Sequence, residues 1–595
     1  MEKISLCMIV KNEEKYIANC LKSAALLVDE IILVDTGSTD GTLEIAEEFQ
    51  AKIFRYPWKE NFAHARNYSL SQATGDWILV LDADEALYLE DIEKLKHIVR
   101  KTSANAISLK FHNFILEDSE EEYNTHVGIR LFRNHIFQYE GAIHEQLVAI
   151  YEEAPLRLKA TDVRVGHYGY LKSNAGKRKR ERNIPLIQKL LEENPEDAFQ
   201  LFNMGNEFMS DGAYEDALVY FEKAYGLKDT TLAYCPHLIF RRAICLYYLK
   251  RFRESLHILE EGTAIYPQCT AYQFFKGRIY KGQKRYSLAI ESFEDCISKG
   301  SAPLSLTFIN DLEGFRSFIE LAQIYFLQDD YGKALDYYLK AIDLKNHRYD
   351  LLYKIGAVLN KMHWEKEKVG RGLEKLFADG YYLNNVIVIV DILLNEGLNK
   401  EAKAYFQRIE ERQERTEEIQ YLNGRILFYE KEYAPALEKF IMILQSTSEE
   451  FLLPEVETKA LEYAVACIMV PEHKDCDAKE KILSIAKDGE DNGAKKVVQY
   501  FLAEIEAPLV GEEKQMALHV LSALLRNKEF DVFEASLKIL NMIDSNDILL
   551  DLAEIYYENG FKELAVKTIL RSMKELGVIN AQAVQLLNKE FLLVE

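Results

Sequence analysis

The chain is poor in proline and glycine, with 11 and 28 among 595 residues, and its 8 cysteines are scattered, with no CxxC pair and no closely spaced Cys/His set. The first scarcity excludes a collagen-like, mucin-like or mostly disordered protein. The second leaves neither a zinc site nor a disulfide framework indicated. Cations are also in deficit, 73 Lys+Arg against 96 Asp+Glu for a formal charge of -23. That balance argues against a nucleic-acid binder, whose affinity rests on cations that neutralise phosphates. Long apolar runs are missing too: a span needs about 20 residues, and the closest stretch, Val386 to Leu394, is interrupted by Asp391. Met1-Glu2-Lys3-Ile4-Ser5 lacks the cationic head and apolar stretch of a signal peptide. A cytoplasmic protein without a membrane span is expected. No G-x-S-x-G, Walker A or G-x-G-x-x-G occurs where a strand–turn–helix would need it, which removes the hydrolase, P-loop and dinucleotide readings.

What the chain does contain falls into two halves of different period. Over the first ~170 residues short β-branched runs alternate with amphipathic helices. Strands are predicted at Ile4–Val10, Ile31–Val34, Ala51–Tyr56 and Trp77–Leu81, and helices at Glu13–Ser23, Thr39–Phe49 (opened by Asp40) and Phe62–Gln72. Such alternation predicts a parallel sheet covered on both faces, with ligands beyond the carboxyl ends of its strands. Lys11-Asn12-Glu13-Glu14, Asp35-Thr36-Gly37-Ser38 and Asp82-Ala83-Asp84-Glu85 fall at that rim.

After about residue 183 the pattern turns helical and repeats. Gly205, Phe208, Ala217 and Phe221 share their offsets with Ala243, Leu246, Ser255, Leu259; Gly277, Tyr280, Ala289, Phe293; and Ala322, Tyr325, Ala334, Tyr338. Later copies begin at Val390, Gly424 and Ala553. Small residues let paired helices approach and the aromatics fill the gaps, so the tyrosines of the repeats need no ligand. The spacing resembles the 34-residue tetratricopeptide repeat. The pattern weakens between about 348 and 385 and between about 446 and 547, where degenerate helical pairs are expected. Domains are expected at 1–183 (catalytic), 184–345 (repeats) and 346–595 (degenerate repeats).

Two carboxylates on alternate residues past a buried strand, Asp82 and Asp84, suit a hard divalent cation that also takes phosphate oxygens. Acidic dipeptides after strands are more often turns or caps, and Glu85 and Glu90 read as residues favouring the next helix N-terminus. Four segments together decide between these: Ile4 to Glu14, Val34 to Thr42, Phe62-Ala63-His64-Ala65-Arg66-Asn67 and Gly75 to Glu85. In that order they resemble family-two inverting glycosyltransferases with the α/β, Rossmann-like GT-A fold. Joined to a helical array they resemble bacterial peptide glycosyltransferases of the sublancin S-glycosyltransferase type.

The resemblance implies a nucleotide-diphospho-sugar donor, a UDP-sugar first, held through Mg²⁺ or Mn²⁺. It places Asn12, Glu13, Asp35, Arg66 and Asp82 at the donor, with Asp35 near the base or ribose and Arg66 near the diphosphate or the acidic cluster. Where many relatives carry a second Asp after Asp35, this chain has Thr36. Asp84 is the first choice for direct metal coordination, and Asp82 for the ribose or a water-mediated contact. In Gly141-Ala142-Ile143-His144-Glu145 the His-Glu pair recurs among related enzymes, making Glu145 the expected general base and His144 a positioning group or second acid/base. His167 is either a further metal ligand or a packed residue. The run Lys177-Arg178-Lys179-Arg180-Glu181-Arg182 reads as a solvated helix face, or as cations that help hold a diphosphate. Trp58 and Phe62 are expected to pack a loop, and His237, His257 and His473 show no partner pattern. A peptide or protein acceptor follows from the array, whose stacked pairs offer a surface for extended segments. A cell-surface glycan or lipid-linked acceptor, or a catalytically inert TPR scaffold, are the other readings. A homo-oligomer is compatible with each.

Overall fold

In the computed structural model the apolar run Ile4–Val10 forms β1, the buried centre of a sheet. The structure describes residues 2–114, 123–151, 155–169, 175–303, 306–345, 348–362, 365–377, 383–409, 416–446, 453, 455–470, 476–485, 493–503, 508–509 and 511–591. Tyr170, His473 and the side chains of Lys177, Arg178 and Lys179 lie outside the described residues. After β1 come α1 (Ile17–Ala24), β2 (Glu30–Asp35), α2 (Thr42–Glu48), β3 (Lys52–Arg55), α3 (Phe62–Gln72) and β4 (Trp77–Val80), the predicted alternation. Next are β5 (Glu85–Leu87), α4 (Ile92–Lys101), β6 (Ala106–Phe114), β7 (Tyr123–Arg133), β8 (Phe137–Glu140), β9 (Gln146–Ala149), β10 (Leu158–His167) and α5 (Ala175–Glu193).

The sheet runs β3-β2-β1-β4-β7-β6-β10-β5, with β8 and β9 as a separate hairpin. Strands β3, β2, β1 and β4 are parallel, as are β6 and β10, while β7 and the edge strand β5 run antiparallel to their neighbours. Strand order reverses at β1, so the crevice predicted for ligands opens beyond β1 and β4. Helices α1 and α2 begin later than the pattern predicts, because the residues before them brace the rim. Asp40 accepts hydrogen bonds from the backbone N–H groups of Thr42 (3.1 Å) and Glu14 (3.2 Å), and the Glu14 carboxylate accepts from Gly41 N (2.9 Å).

The chain divides into two compact units, Met1–Asp329 and Asp330–Glu595. The first holds the sheet and the helices α6 (Ala198–Ser210), α7 (Tyr214–Gly226), α8 (Cys235–Tyr248), α9 (Phe252–Ile265), α10 (Thr270–Gly282), α11 (Tyr286–Lys299) and α12 (Phe315–Leu327). The second holds α13 (Tyr331–Leu344), α14 (Tyr349–Lys361), α15 (Lys366–Glu374), α16 (Leu383–Asn395), α17 (Asn399–Phe406), α18 (Thr416–Tyr429), α19 (Tyr433–Leu444) and α20 (Val456–Met469). It continues with α21 (Cys476–Ile485), α22 (Gly493–Ala503), α23 (Glu512–Arg526), α24 (Phe530–Ser536), α25 (Ile548–Glu558), α26 (Lys562–Glu575) and α27 (Ala581–Phe591). Inside this second unit Arg425 is buried in an ion pair with Asp391, which also accepts from the Tyr353 hydroxyl at 2.6 Å.

The turns inside the pairs repeat more faithfully than the side chains. Gly212, Lys250, Lys284, Gly397, Lys431, Lys528 and Gly560 each adopt a left-handed backbone, with φ between 59° and 87°. The following N–H closes back on the helix, as Ala213 N on Phe208 O, Arg251 N on Leu246 O and Arg285 N on Tyr280 O (3.1, 2.8 and 2.9 Å). Glu529 N on Leu524 O (3.0 Å) completes the same turn between α23 and α24, inside a region where the sequence pattern weakens. Large residues, Leu521 and Phe533, there replace the small ones on which the pattern depends.

The small residues are sterically required. A Cβ on Gly277 would stand 2.8 Å from the ring of Phe293, which is fully buried. Gly277→Ala is therefore expected to lower unfolding free energy by about 1–2 kcal/mol, overpacking outweighing the better helix propensity. Gly282→Ala, with nothing within 4 Å of the added atom, is expected to leave stability unchanged or raised; paired denaturant titrations check both.

Candidate active site

Helix α3 organises the rim. Asn61 caps it, its side chain accepting from His64 N at 2.9 Å. Three successive contacts from this helix hold the β8–β9 hairpin. Phe62 N donates to Ala142 O (2.8 Å), and the Asn67 amide both donates to Tyr139 O and accepts from Tyr139 N, each at 2.8 Å. Between them Arg66, almost wholly buried, reaches two carboxylates: Nε pairs with Glu145 Oε1 and Nη2 with Asp82 Oδ1 at 2.8 Å. Its Nη1 and the Tyr139 hydroxyl below it are buried without a hydrogen-bond partner among the described residues.

Asp82 continues the network. Arg130 on β7 lies 3.5 Å from Asp82 Oδ2 and 2.7 Å from Glu85 Oε1, while Glu85 Oε2 accepts from Asp82 N at 3.0 Å. Desolvation raises the Asp82 carboxyl, but the two guanidiniums more than offset it and hold the pKa well below the usual range. For Glu85, burial and the charge of Asp82 outweigh Arg130, and its pKa is raised. Glu85, expected to favour a helix N-terminus, is instead a buried residue of β5, because β5 folds onto the edge of β10 and draws its first side chain inward.

That same pairing sets Asp84 beside His167. In register His167 lies opposite Glu85 on β5 and opposite Asn113 on β6, and Tyr168 N donates to Asp84 O at 2.9 Å. His167 Nε2 stands 3.6 Å from Asp84 Oδ2, and its Nδ1 meets Asn113 Oδ1 at 2.9 Å. An amide oxygen only accepts, so Nδ1 is the donor of that bond, which fixes the ring with Nε2 on the side of the carboxylate. Gly169 closes the other side: a Cβ there would come within 2.1 Å of Asp84 Oδ2 and 3.0 Å of His167 Nε2. One carboxylate oxygen and one oriented imidazole fit Mn²⁺ or Mg²⁺ whose remaining ligands are phosphate oxygens and water. Among the described residues no group of three or more His, Cys, Asp or Glu could hold a metal alone.

The other expected donor residues shape the neighbouring loops. Asp35 is buried at the end of β2 and accepts from Ser38 N at 2.8 Å. Asn12, with φ 57°, accepts from Thr39 N at 2.7 Å and so ties the β1 loop to the β2 loop. Glu13 N donates to the Thr42 hydroxyl at 2.8 Å. His144 takes a left-handed backbone (φ 52°), and its imidazole is open to solvent yet surrounded on most sides by protein, which lowers its pKa. Glu145 Oε2 makes no hydrogen bond among the described residues, leaving it able to accept a proton. Phe62 packs edge-on to Trp58, with centroids 4.7 Å apart, and His237 lies 4.1 Å from Phe308. The structure thus joins Arg66, Asp82 and Glu145 in one network and Asp84 with His167 in another. Arg130, Asn113 and Tyr139 are additions that the sequence does not signal; they sit within strands and carry no motif of their own.

A protein-family model described as Glycosyl transferase family 2 matches residues 5–158, and the Tetratricopeptide repeat model matches residues 271–298 and 315–348. The chain joins a family 2 glycosyltransferase domain to tetratricopeptide repeats. It is 36% identical over 221 residues to a TPR repeat-containing protein of Synechococcus elongatus, covering 36% of this chain and 54% of that one. It is 30% identical over 291 residues to the SPbeta prophage-derived glycosyltransferase SunS of Bacillus subtilis, covering 46% of this chain and 66% of that one. The chain therefore spans about half to two thirds of the length of these relatives. Among solved structures, S. aureus TarS 1-349 in complex with UDP-GlcNAc is 16% identical, with a TM-score of 0.24 over 43% of this chain and 91% of that one. No helix among the described residues is long and apolar enough to cross a membrane. The residues of the glycosyltransferase domain that build the rim, from Asn12 to Glu145, all fall within the matched segment.

Proposed function

We propose that the chain transfers a sugar, with inversion, from a UDP-sugar to a Ser, Thr or Cys side chain of a protein or peptide. The observation that carries this reading is the bridge made by Arg66, which ties Asp82 on the donor side to Glu145 on the hairpin opposite. The acceptor's oxygen or sulfur attacks the anomeric carbon as the bond to the diphosphate oxygen breaks. The bonding pair leaves with the diphosphate, and the acceptor proton passes to Glu145 Oε2. Asp84 and His167 would hold Mg²⁺ or Mn²⁺, which when bound stabilises the negative charge growing on the diphosphate. Arg66 keeps the base in place and Asn67 keeps the hairpin in place. The repeats would hold the acceptor chain.

The test is UDP release from UDP-glucose and UDP-GlcNAc with Mn²⁺, read beside intact-mass shifts on peptides carrying one Ser or one Cys. Glu145→Gln is expected to lower transfer to Ser by about 10²–10³-fold, the size of a lost general base. Transfer to Cys is expected to fall less, since a thiol with a pKa of ~8.5 supplies its own thiolate. Full transfer by Glu145→Gln would place the base elsewhere, and UDP release without any peptide mass shift would redirect the acceptor toward a glycan.

A further inference from the structure

Strands β7, β6 and β10 lie side by side, and their register sets three polar side chains in a row across them. His126 of β7 stands opposite Phe111, Asn113 follows Phe111 on the same face of β6, and Asn113 is opposite His167 of β10. Two hydrogen bonds join the row: Asn113 Nδ2 meets His126 Nδ1 at 2.9 Å, and His167 Nδ1 meets Asn113 Oδ1 at 2.9 Å. The two ends of the central amide have opposite chemistry. Its N–H only donates, so His126 Nδ1 accepts and carries no proton; its oxygen only accepts, so His167 Nδ1 donates. With Nδ1 committed in this way, the nitrogen of His167 left for a cation is Nε2, which stands 3.6 Å from Asp84 Oδ2. An amide turned end for end would offer His167 a donor, and the proton of its neutral ring would then sit on Nε2.

The acceptor on β7 therefore decides which way the amide faces, and that acceptor is itself held. The His126 ring lies on Phe111, with centroids 4.5 Å apart and planes 14° from parallel. Phe111 is fully buried and lies against Gly128, where an added Cβ would stand 3.1 Å from its ring. One residue before His126 the strand is tied to the repeats. The Thr125 hydroxyl donates to Asn310 Oδ1 in the loop that leads to α12, and Phe308 of the same loop packs on His237 of α8.

We infer that His126 is a positioning residue for the cation site, acting through the Asn113 amide to keep His167 Nδ1 a donor and Nε2 available to the metal. The inference rests on the reading of Asp84 and His167 as the protein ligands of the cation, and it extends that reading to a residue on a third strand.

The experiment titrates Mn²⁺ into the full chain with saturating UDP and reads the free ion by electron paramagnetic resonance, so no turnover is needed. Two substitutions divide the roles of the ring. His126→Phe keeps an aromatic ring on Phe111 and removes the acceptor; it is expected to raise the Kd for Mn²⁺ by about tenfold, the lower end of the cost of losing such an outer contact. His126→Gln gives up the stacking, keeps an acceptor oxygen, and should stay within about twofold of wild type. In the Asn113→Asp background a carboxylate accepts from His167 whichever way it is turned, so His126→Phe should cost nothing further there. In UDP release, His126→Phe should show its loss in the KM for Mn²⁺ rather than in kcat. A Kd unchanged in His126→Phe, or raised as much in His126→Gln, or raised equally in the Asn113→Asp background, overturns the inference and leaves the ring a packing role alone. Failure of the wild-type chain to bind Mn²⁺, or undiminished binding by Asp84→Asn, would instead overturn the reading of the cation site beneath it.

Discussion

Asp84→Asn is expected to cut UDP release by at least about a hundredfold while leaving the fold intact. The substitution keeps shape and removes one negative charge from a side chain whose Oδ2 stands 3.6 Å from His167 Nε2. Asparagine occupies the same volume and keeps polar atoms at the same positions, so unfolding free energy without metal should change by about 1 kcal/mol or less. Affinity for the cation should fall sharply, because only one imidazole remains to accompany the phosphate oxygens. Thermal shift separates the two effects: Mn²⁺ with UDP should stabilise the wild-type chain by mass action and fail to stabilise the variant. Asn113→Ala provides a graded companion. It leaves Asp84 and His167 in place but frees the His167 ring, and is expected to weaken Mn²⁺ binding by about 10–100-fold. If Asp84→Asn kept both its turnover and its Mn²⁺-dependent stabilisation, the ion would have to be held elsewhere.

The behaviour of the acidic doublet shows what the sequence can and cannot say. Alternation along a strand places Asp82 and Asp84 on one side, so both are expected to face the crevice. The strand ends at Val80, and β5 then folds back on β10, so the two carboxylates part: Asp84 meets His167, and Asp82 meets two arginines. A local pattern does not contain that fold-back, because it is set by pairing with a strand some 80 positions later. Arg130 escapes sequence reading for the same reason. It comes from β7, whose register against β4 (Leu79 opposite Leu131) carries it to the end of the strand that bears Asp82. By contrast the sequence itself singles out Arg66 and the His-Glu pair, which the structure brings together through Glu145, since α3 and the hairpin loop each present their chemistry within one short segment; Asn67 stands in the same segment without a signal of its own. The repeats were legible wherever small residues mark the close approach of two helices, as at Gly205 against Phe221. At α23 and α24 the fold is retained by the turn at Lys528 while the side-chain signature is lost.

Arg66→Met is expected to damage stability and activity together, and the two losses can be pulled apart. Removing the guanidinium leaves Glu145, with its side chain 13% exposed, and the half-exposed Asp82 without their shared cation. Breaking a buried pair from one side costs about 3–5 kcal/mol, and the partial exposure of Asp82 puts the expected loss near the lower end, about 3 kcal/mol. Arg66→Lys should recover part of this, as one ammonium keeps the charge but lacks the planar fork that serves two carboxylates at once. Adding Glu145→Gln to Arg66→Met removes one of the stranded charges, so the double variant is expected to be more stable than Arg66→Met alone. Its transfer to Ser should nevertheless stay as low as that of the weaker parent, because the base is gone. Denaturant midpoints and UDP release on the four proteins of this cycle therefore diverge if Arg66 holds Glu145 for catalysis. Recovery of transfer along with stability would show that Arg66 serves the fold alone and that Glu145 takes no proton.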